Sequence, residues 1–423
     1  MEKPAKIDQH DAYAVLKIKE FRAFISARFI LTIATQMQSV IVGWQIYQIT
    51  KDALSLGMIG LAEAIPFLLI ALFAGHVADH FDRRKIILIF VGLFLLCSIA
   101  LFSLTYQFSD YLKEVSVFPL YVVIFFTGIA RGFLYPSQMG LMAQIVPREL
   151  YGNSSTWNST IWHIGAVTGP PLGVFLCGLF GISISYFVVL LLIGLSFLFY
   201  LAIKSKPIAL KLKKEGLMES LSSGIKFVFK NQIILGAMSL DMFAVLFGGA
   251  VVLLPIFAVE ILDVGIIGLG FMRAAPAFGA VVMALFLAYQ PPFKNAGRNL
   301  LLSVAGFGLC IILFALSKNF YLSFLLLALS GMFDNVSVII RSTIMQLLTP
   351  DNMRGRVAAV NSIFIGSSNE IGSFESGVAA RLLGLIPSVI FGGSMTLLIS
   401  GIAGKWAPKL RSLNLKKIQE DHK

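Results

Sequence analysis

The sequence predicts an all-α membrane protein in which twelve transmembrane helices form two pseudo-symmetric six-helix bundles. Three observations predict it. Of 423 residues, 57% are hydrophobic and 13% charged, with a mean hydropathy of +0.85, far more apolar surface than soluble cores of this length bury. Uncharged stretches such as 86–106 and 182–203 are each long enough to cross a hydrocarbon core of roughly 30 Å as a helix. They do not alternate in polarity, which excludes a membrane β-barrel. Finally, the second half repeats the first at a constant offset.

The elements follow in order. Residues 1–20 form a polar tail without a short apolar stretch ending in a small-residue cleavage site, so the first span is expected to direct insertion. Spans are expected at about 21–49, 53–76, 86–107, 118–146, 155–180 and 182–203, making an N-terminal bundle of residues 21–204. A basic linker, 205–231, carries Leu217, Leu221, Ile225 and Val228 on one helical face and reads as an amphipathic helix at the inner membrane surface. A solvated basic linker is the plain alternative. The C-terminal bundle, 232–407, holds spans at about 232–261, 264–289, 299–317, 320–347, 357–380 and 383–404, followed by a tail of 408–423.

Charge fixes the expected orientation. Twelve crossings place both termini on one side, and the loops of the other side carry only Lys51, Lys113, Lys318 and Arg381 as bases. The termini are therefore expected in the cytoplasm. The net charge of +12 is spread over short loops with no compact polar domain, which argues against a nucleic-acid partner. Cys97, Cys177 and Cys310 lie inside apolar runs without paired spacing, as small buried side chains rather than disulfides or metal ligands. No Walker or Rossmann glycine pattern and no nucleophile with a base appears, so neither ATP coupling nor an enzyme is expected.

The repeat aligns Gly128 with Gly331, Pro147 with Pro350, Gly152 with Gly355 and Asn158 with Asn361, an offset of 203. Copies in the same orientation imply two bundles about an axis normal to the membrane, with a binding site expected at midplane between them. In span 5, Gly165, Gly169 and Gly173 line one helical face beside Pro170 and Pro171, and the offset places Ser368, Gly372 and Ser376 at matching points of span 11. Small residues allow close helix approach, so packing is the first reading of both stripes.

The loop "GHVADHFDRRK", 75–85, joins spans 2 and 3. It lacks the glycines and following Gly-Lys-Ser/Thr of a phosphate loop, and His76 and His80 have neither the glutamate nor the third ligand a zinc site needs. Gly75, Asp79, Arg83 and Arg84 stand at the spacing of the span 2/3 signature of the major facilitator superfamily, with Asp82 in place of its second glycine. The chain thus resembles that superfamily, and in particular its branch of siderophore exporters and macrolide efflux pumps. The resemblance implies the major facilitator fold and makes the loop a cytoplasmic latch, its aspartate facing the amino end of span 11 and its arginine pairing with nearby acids. Gly75 would let helices approach closely. The equivalent second loop, 290–298, keeps bases and has no acid. Gly165, Gly169, Pro170 and Gly173 are similar to the end of the superfamily's antiporter motif, a partial match that points to export. "SLDMFAVLFGGAVVLLPIFA" around Asp241, "GFMRAAPAFGA" around Arg273 and "SSNEIGSFESG" around Glu370 and Glu375 are similar to the same branch.

Nine ionisable side chains fall inside spans: Glu63, Asp241, Asp334, Glu370, Glu375, Arg28, Arg131, Arg273 and Arg341. At roughly 2.5–3.5 kcal/mol for each charge at a helix centre, leaving all of them facing lipid would cost on the order of 20–30 kcal/mol. They are expected to pair, face water or lie near the interface. Arg131 and Asp334 coincide under the repeat near midplane, so they are expected to face each other across the central opening. One or more acids among Glu63, Asp241, Asp334 and Glu370 would exchange a proton, and Arg131 would tune it or contact an anionic cargo group; fixed structural pairs are the alternative. Arg28 and Arg341 are read as snorkelling towards the cytoplasmic interface, and His163 as a hydrogen-bonded core side chain. Gln36, Gln38 and Gln45, with 36 phenylalanines, would suit an amphipathic cargo.

The expectation is a proton-driven exporter of a siderophore or drug-like amphiphile, without a bound cofactor, working as a single chain in a bacterial-type inner membrane among lipid. A proton-coupled importer is the alternative, and a scramblase or a non-transporting sensor stays open.

Overall fold

The computed structural model describes residues 13–114, 116–205, 217–289, 294–350 and 353–415. Among them, ten segments are long and apolar enough to cross a membrane. One, Asn153–Leu201, runs 49 residues but bends at Gly181, with φ 82° and ψ 169°, a backbone region open essentially to glycine alone. It is therefore two spans. Arg354–Leu383, 30 residues long, is more polar than the others because of its serines, asparagines and glutamates, and it supplies the twelfth.

The spans are α1 (Lys19–Thr50), α2 (Ala53–His80), α3 (Arg83–Tyr106), α4 (Phe118–Ile145), α5 (151–180), α6 (182–201), α7 (Gln232–Gly248), α8 (Gly265–Tyr289), α9 (Ala296–Leu316), α10 (Phe320–Leu348), α11 (Arg354–Leu383) and α12 (Leu385–Trp406). Polar caps start several of them. Asp82 accepts from the backbone N–H groups of Arg84 and Lys85 at α3, Asn231 from those of Ile233 and Ile234 at α7, and Asn319 from that of Leu322 at α10, satisfying donors a helix start leaves free.

The chain divides into two compact units, Met1–Gln45 with Ile65–Lys211 and Ile46–Ala64 with Leu212–Lys423. The division passes through α1 and α2, whose adjoining ends, 46–64, belong with the second unit. There Gly57 meets Gly377 on α11, where a Cβ would lie 3.0 Å from the Gly377 Cα.

The repeat is visible in local geometry. Gly181 and Gly384, 203 residues apart, both adopt positive φ, 82° and 91°, at the turns between α5 and α6 and between α11 and α12. Thr127 donates to the Ile124 carbonyl at 2.7 Å and Ser330 to the Leu327 carbonyl at 2.7 Å, again at that offset. A second register relates α1 to α7: Phe21, Phe24, Ile25, Ala27, Arg28 and Leu31 are buried, as are Ile234, Ala237, Met238, Leu240, Asp241 and Ala244. Arg28 is the tenth residue of α1 and Asp241 the tenth of α7.

The copies differ at the end of α7. Whereas α1 runs unbroken for 32 residues, α7 stops at Gly248 and continues as a 3-10 turn, Ala250–Leu253, a short turn containing Pro255, and a π turn, Phe257–Ile261. The expected single span of 232–261 is thus interrupted. The cause is local: two adjacent glycines cost helix stability, and Pro255 has no N–H to offer the preceding turn.

The linker helix, Leu217–Lys230, packs on the second unit, and the side chains of Leu217 and Leu221 on its expected apolar face lie outside the described residues. Val228 is fully buried in the hydrophobic core of the second unit, and Arg356 of α11 donates to the Ser223 hydroxyl at 2.8 Å. Ile225, expected on the same face as Val228, is 42% exposed. Gly224, one turn before Val228, allows the Arg356 backbone within 3.1 Å of its Cβ position, so the face of Gly224 and Val228 is the one turned to protein. Residues 206–216 and both outer tails, 1–12 and 416–423, lie outside the described residues.

Candidate functional site

In the first unit, Arg28 does not reach an interface. It is 7% exposed, and its Nη1 donates to Oε1 of Gln138 on α4 at 3.2 Å, while the Gln138 amide donates to the hydroxyl of Tyr200 on α6 at 2.9 Å. Arg28 lies nine residues inside α1, and its neighbours close round it before its stem could carry the charge out. Gln38 and Gln45 serve the same bundle. Gln38 accepts from Ser98 of α3 at 2.7 Å, whereas Gln45 donates to Thr105 at 3.0 Å and accepts from Tyr186 of α6 at 2.8 Å. These bonds occupy groups expected to meet cargo. His163, expected in the core, is exposed. Arg131 is exposed from its unit and stands 5.7 Å from the centre of the Phe67 ring.

The glycine face of α5 packs on α1. A Cβ at Gly165 would come within 2.9 Å of Thr32, one at Gly169 within 2.7 Å of Gln36, and one at Gly173 within 3.0 Å of Val40. Pro170 sits inside α5 beside this seam. The second unit repeats it: a Cβ at Gly372 of α11 would lie 2.7 Å from the Leu246 carbonyl, and Ser376 donates to the Gly249 carbonyl at 3.3 Å.

The span 2/3 loop is held by helix ends. Nε of Arg83 donates to the Ala78 carbonyl at 2.9 Å and its Nη1 to the Gly140 carbonyl on α4 at 3.0 Å. Arg84 donates to the carbonyl of Leu201, the last residue of α6, at 2.9 Å, where a cation also meets the negative end of the helix dipole. Carbonyls of α2, α4 and α6 thus accept from the two arginines, and those of Ala78 and Leu201 lie in the last turns of their helices, where no further helical donor reaches them. Asp82 caps α3 and accepts from the Ser205 hydroxyl. Among the described residues, no atom lies within 4 Å of a Cβ at Gly75. The side chain of Asp79 lies outside the described residues.

In the second unit the charges cluster. Arg341, on α10, is buried with its side chain 8% exposed, and its Nη1 forms an ion pair with Oδ2 of Asp241 on α7, whose side chain is 10% exposed. Its Nη2 lies 3.9 Å from Oδ1 of Asp334, a side chain 49% exposed. Its Nε donates to the Ser337 hydroxyl at 3.1 Å, which fixes the direction of the side chain. Snorkelling was expected of Arg341; the Asp241 carboxylate, one helix away, holds it in the bundle instead. Residues 334, 337 and 341 share one face of α10 through the 3.6-residue period.

Gln138 and Arg341 are 203 residues apart, and Arg28 and Asp241 correspond in α1 and α7. Both units therefore join their first and fourth helices by a buried polar pair at the same point, but the guanidinium sits on opposite helices and only the second pair includes a carboxylate.

A small cavity of about 10 Å³ adjoins this cluster, lined by Asp241, Asp334, Ser303, Ser337, Phe307 and Phe333 among others. Glu63 belongs to the part of α2 in the second unit; Glu370 and Glu375 are half-buried on α11, and a Cβ at Gly60 would come within 2.5 Å of the Glu370 carbonyl. Among the described residues, Arg273 on α8 has its Nε buried without a hydrogen-bond partner. The pairing of Arg341 with Asp241 was missed in the sequence, since the register that relates α1 to α7 is set by helix starts that the structure supplies.

Twelve spans in two repeated six-helix units, with ionic groups kept inside apolar helices, define a membrane transporter of the major facilitator type. The fold agrees with solved structures at low sequence identity: a POT family transporter in complex with 5-aminolevulinic acid, TM-score 0.74 at 12% identity over 92% of this chain and 96% of that one, and a D-xylose-proton symporter, TM-score 0.69 at 13% identity over 94% and 98%. Residues 10–422 match the major facilitator family described as "Transmembrane secretion effector", and the chain belongs to that family. It is 25% identical over 382 residues to the enterobactin exporter EntS of Shigella dysenteriae serotype 1, covering 90% of each chain, and equally to that of Escherichia coli O1:K1. The protein is a multi-pass membrane transporter and not an enzyme.

Proposed function

We propose that this chain is a secondary active exporter that moves a siderophore or an amphipathic drug-like molecule out of the cell in exchange for protons, by alternating access. The observation that carries the reading is the similarity to enterobactin exporters along 90% of both chains, which a shared fold alone would not produce. Coupling to protons is supported by acids retained in apolar helices, where charge costs roughly 2.5–3.5 kcal/mol at the centre and persists where it has work or a partner. Asp334 and Asp241 are the foremost candidates, with Glu63, Glu370 and Glu375 behind them, and Arg131 is assigned to contact an anionic group of the cargo. In this reading the termini are cytoplasmic, the membrane is a bacterial-type inner membrane, the working unit is one chain without a cofactor, and Gly75, Asp79, Asp82, Arg83 and Arg84 act as a cytoplasmic latch. The α5 stripe of Gly165, Gly169, Pro170 and Gly173 supports export as an antiporter-like motif.

The test is transport in inside-out vesicles. Addition of cargo should release protons, and Asp334→Asn and Arg131→Gln should each abolish proton-driven movement. Normal proton-driven efflux in both would remove them from the mechanism. A comparison of cell-associated and secreted metabolites in a deletion strain, iron-poor and iron-rich, would identify the cargo. Proton-coupled import is the second reading, supported by the likeness in fold to a D-xylose-proton symporter; uptake lost in the deletion strain with no export defect would select it.

A further inference from the structure

We propose that Asp241, Asp334 and Arg341 form a one-proton site inside the second unit, loaded through Asp334, and that its proton occupancy sets which carboxylate the Arg341 guanidinium holds. This rests on the antiport reading above and adds to it a named acceptor, a partner and a count.

The count comes from charge. One guanidinium faces two carboxylates, so the cluster carries a net negative charge when both are ionised and none when one binds a proton. Two of the three side chains are about nine-tenths buried, where net charge is costly. The neutral, singly protonated cluster is therefore the stable form of this arrangement. Geometry then assigns the proton. Arg341 contacts Asp241 directly, whereas Asp334 lies 3.9 Å from it and is the more open of the two carboxylates, its side chain half-exposed at 49%. Asp334 takes the proton on its carboxylate oxygen, Asp241 keeps the guanidinium, and loss of the proton draws Arg341 towards Asp334. Ser337, bonded to Arg341 Nε at 3.1 Å, is the pivot of that movement.

The adjoining cavity suits this role. About 10 Å³ is close to the least space one water needs, and such a water requires two to four polar partners. The carboxylates of Asp241 and Asp334 and the hydroxyls of Ser303 and Ser337 line it, and Ser303 already donates to the Leu300 carbonyl at 2.9 Å, leaving its oxygen to accept. A single water there would connect the exposed carboxylate to the buried one. Among the described residues, α9 contributes no charged group to this lining, α8, α11 and α12 contribute none at all, and Asp241 and Asp334 are its titratable groups. Among the described residues, the equivalent place in the first unit, Arg28 with Gln138 and Tyr200, holds no carboxylate and cannot carry a proton in this way, so coupling would belong to one copy of the repeat.

The experiment is infrared difference spectroscopy of the purified full chain in lipid nanodiscs, with the carboxylic acid C=O band compared between wild type and variants at neutral pH. Wild type should show one protonated carboxyl from this cluster. Asp334→Asn and Asp241→Asn should each show none, since either leaves one carboxylate balanced by Arg341, and Arg341→Gln should show two. Asp334→Glu should keep one with a displaced band, which guards against a variant that fails to fold. An unchanged band in Asp334→Asn, or a single one in Arg341→Gln, would overturn the site. If the bands behave as expected but cargo export in vesicles ignores the proton gradient, the antiport reading fails and the site stands; proton-driven export with an Asp334-independent band overturns the site alone.

Discussion

Removing one member of the Arg341 cluster should cost different amounts depending on which member goes. Arg341→Met leaves the Asp241 side chain, 10% exposed, without the counter-charge that keeps it ionised, so that it must take up a proton or stay buried and unpaired, and breaking a buried pair from one side costs about 3–5 kcal/mol. Asp241→Asn leaves the guanidinium with Asp334 at 3.9 Å, where an effective dielectric near 20 gives an attraction of about 4 kcal/mol. Most of the loss is recoverable by a small shift, and a cost of about 1–2 kcal/mol remains, set by the unmatched polar groups. The double variant Asp241→Asn with Arg341→Met should be less destabilised than the sum of the two, with a coupling of about 2 kcal/mol, because neither charge is then stranded. Denaturation of all four proteins in the same nanodiscs, at fixed pH and salt, measures this cycle. Additivity within about 0.5 kcal/mol, or equal costs for the two single variants, would refute the argument that Asp334 acts as a reserve partner.

Further outcomes follow from the packing. Gly331→Ala places a Cβ 1.8 Å from the Pro276 carbonyl oxygen, so α8 and α10 must part, at an overpacking cost of about 1–3 kcal/mol; Gly401→Ala, with nothing within 4 Å, should instead gain up to about 1 kcal/mol from helix propensity, and melting temperatures compare them. Gly181→Ala and Gly384→Ala should each lose about 1–3 kcal/mol through strain at positive φ, by similar amounts in the two copies; a pronounced inequality would break the equivalence of the two turns. Asp82→Ala should lose about 0.5–2 kcal/mol as the α3 cap is removed while Asp82→Ser loses little, which thermal unfolding can separate.

Much of the fold is legible along the chain because a span is a local property: roughly 20 apolar residues suffice, and the sum runs over neighbours in sequence. The repeat is legible for the same reason, since its marker glycines recur at one spacing. Two spans show the limits. α11 is too polar for a hydropathy sum, yet its small residues let α7 approach closely, with Gly372 against Leu246. The interruption of α7 was written in Gly248, Gly249 and Pro255, although an apolar run alone does not reveal that its backbone changes hydrogen-bond period.

The site was legible in its residue types and not in its partnerships. A charge inside an apolar run announces that it must be neutralised, and all nine such residues could be named from the sequence. Which group neutralises each one depends on the rotation of one helix against another, a property of packing. Arg341 lies 100 residues from Asp241, and the serine one turn away directs it inward, whereas stem length alone suggested the interface. Gln38 and Gln45 likewise looked available to a cargo until Ser98, Thr105 and Tyr186 were found to hold them. The sequence by itself determined twelve spans, two copies and the inventory of charge within the spans, because these depend on composition within a turn or two of chain. Only the tertiary structure decided that the second copy carries a carboxylate pair about one arginine while the first carries a glutamine and a tyrosine, since that arrangement exists only once helices distant in sequence share a common interior.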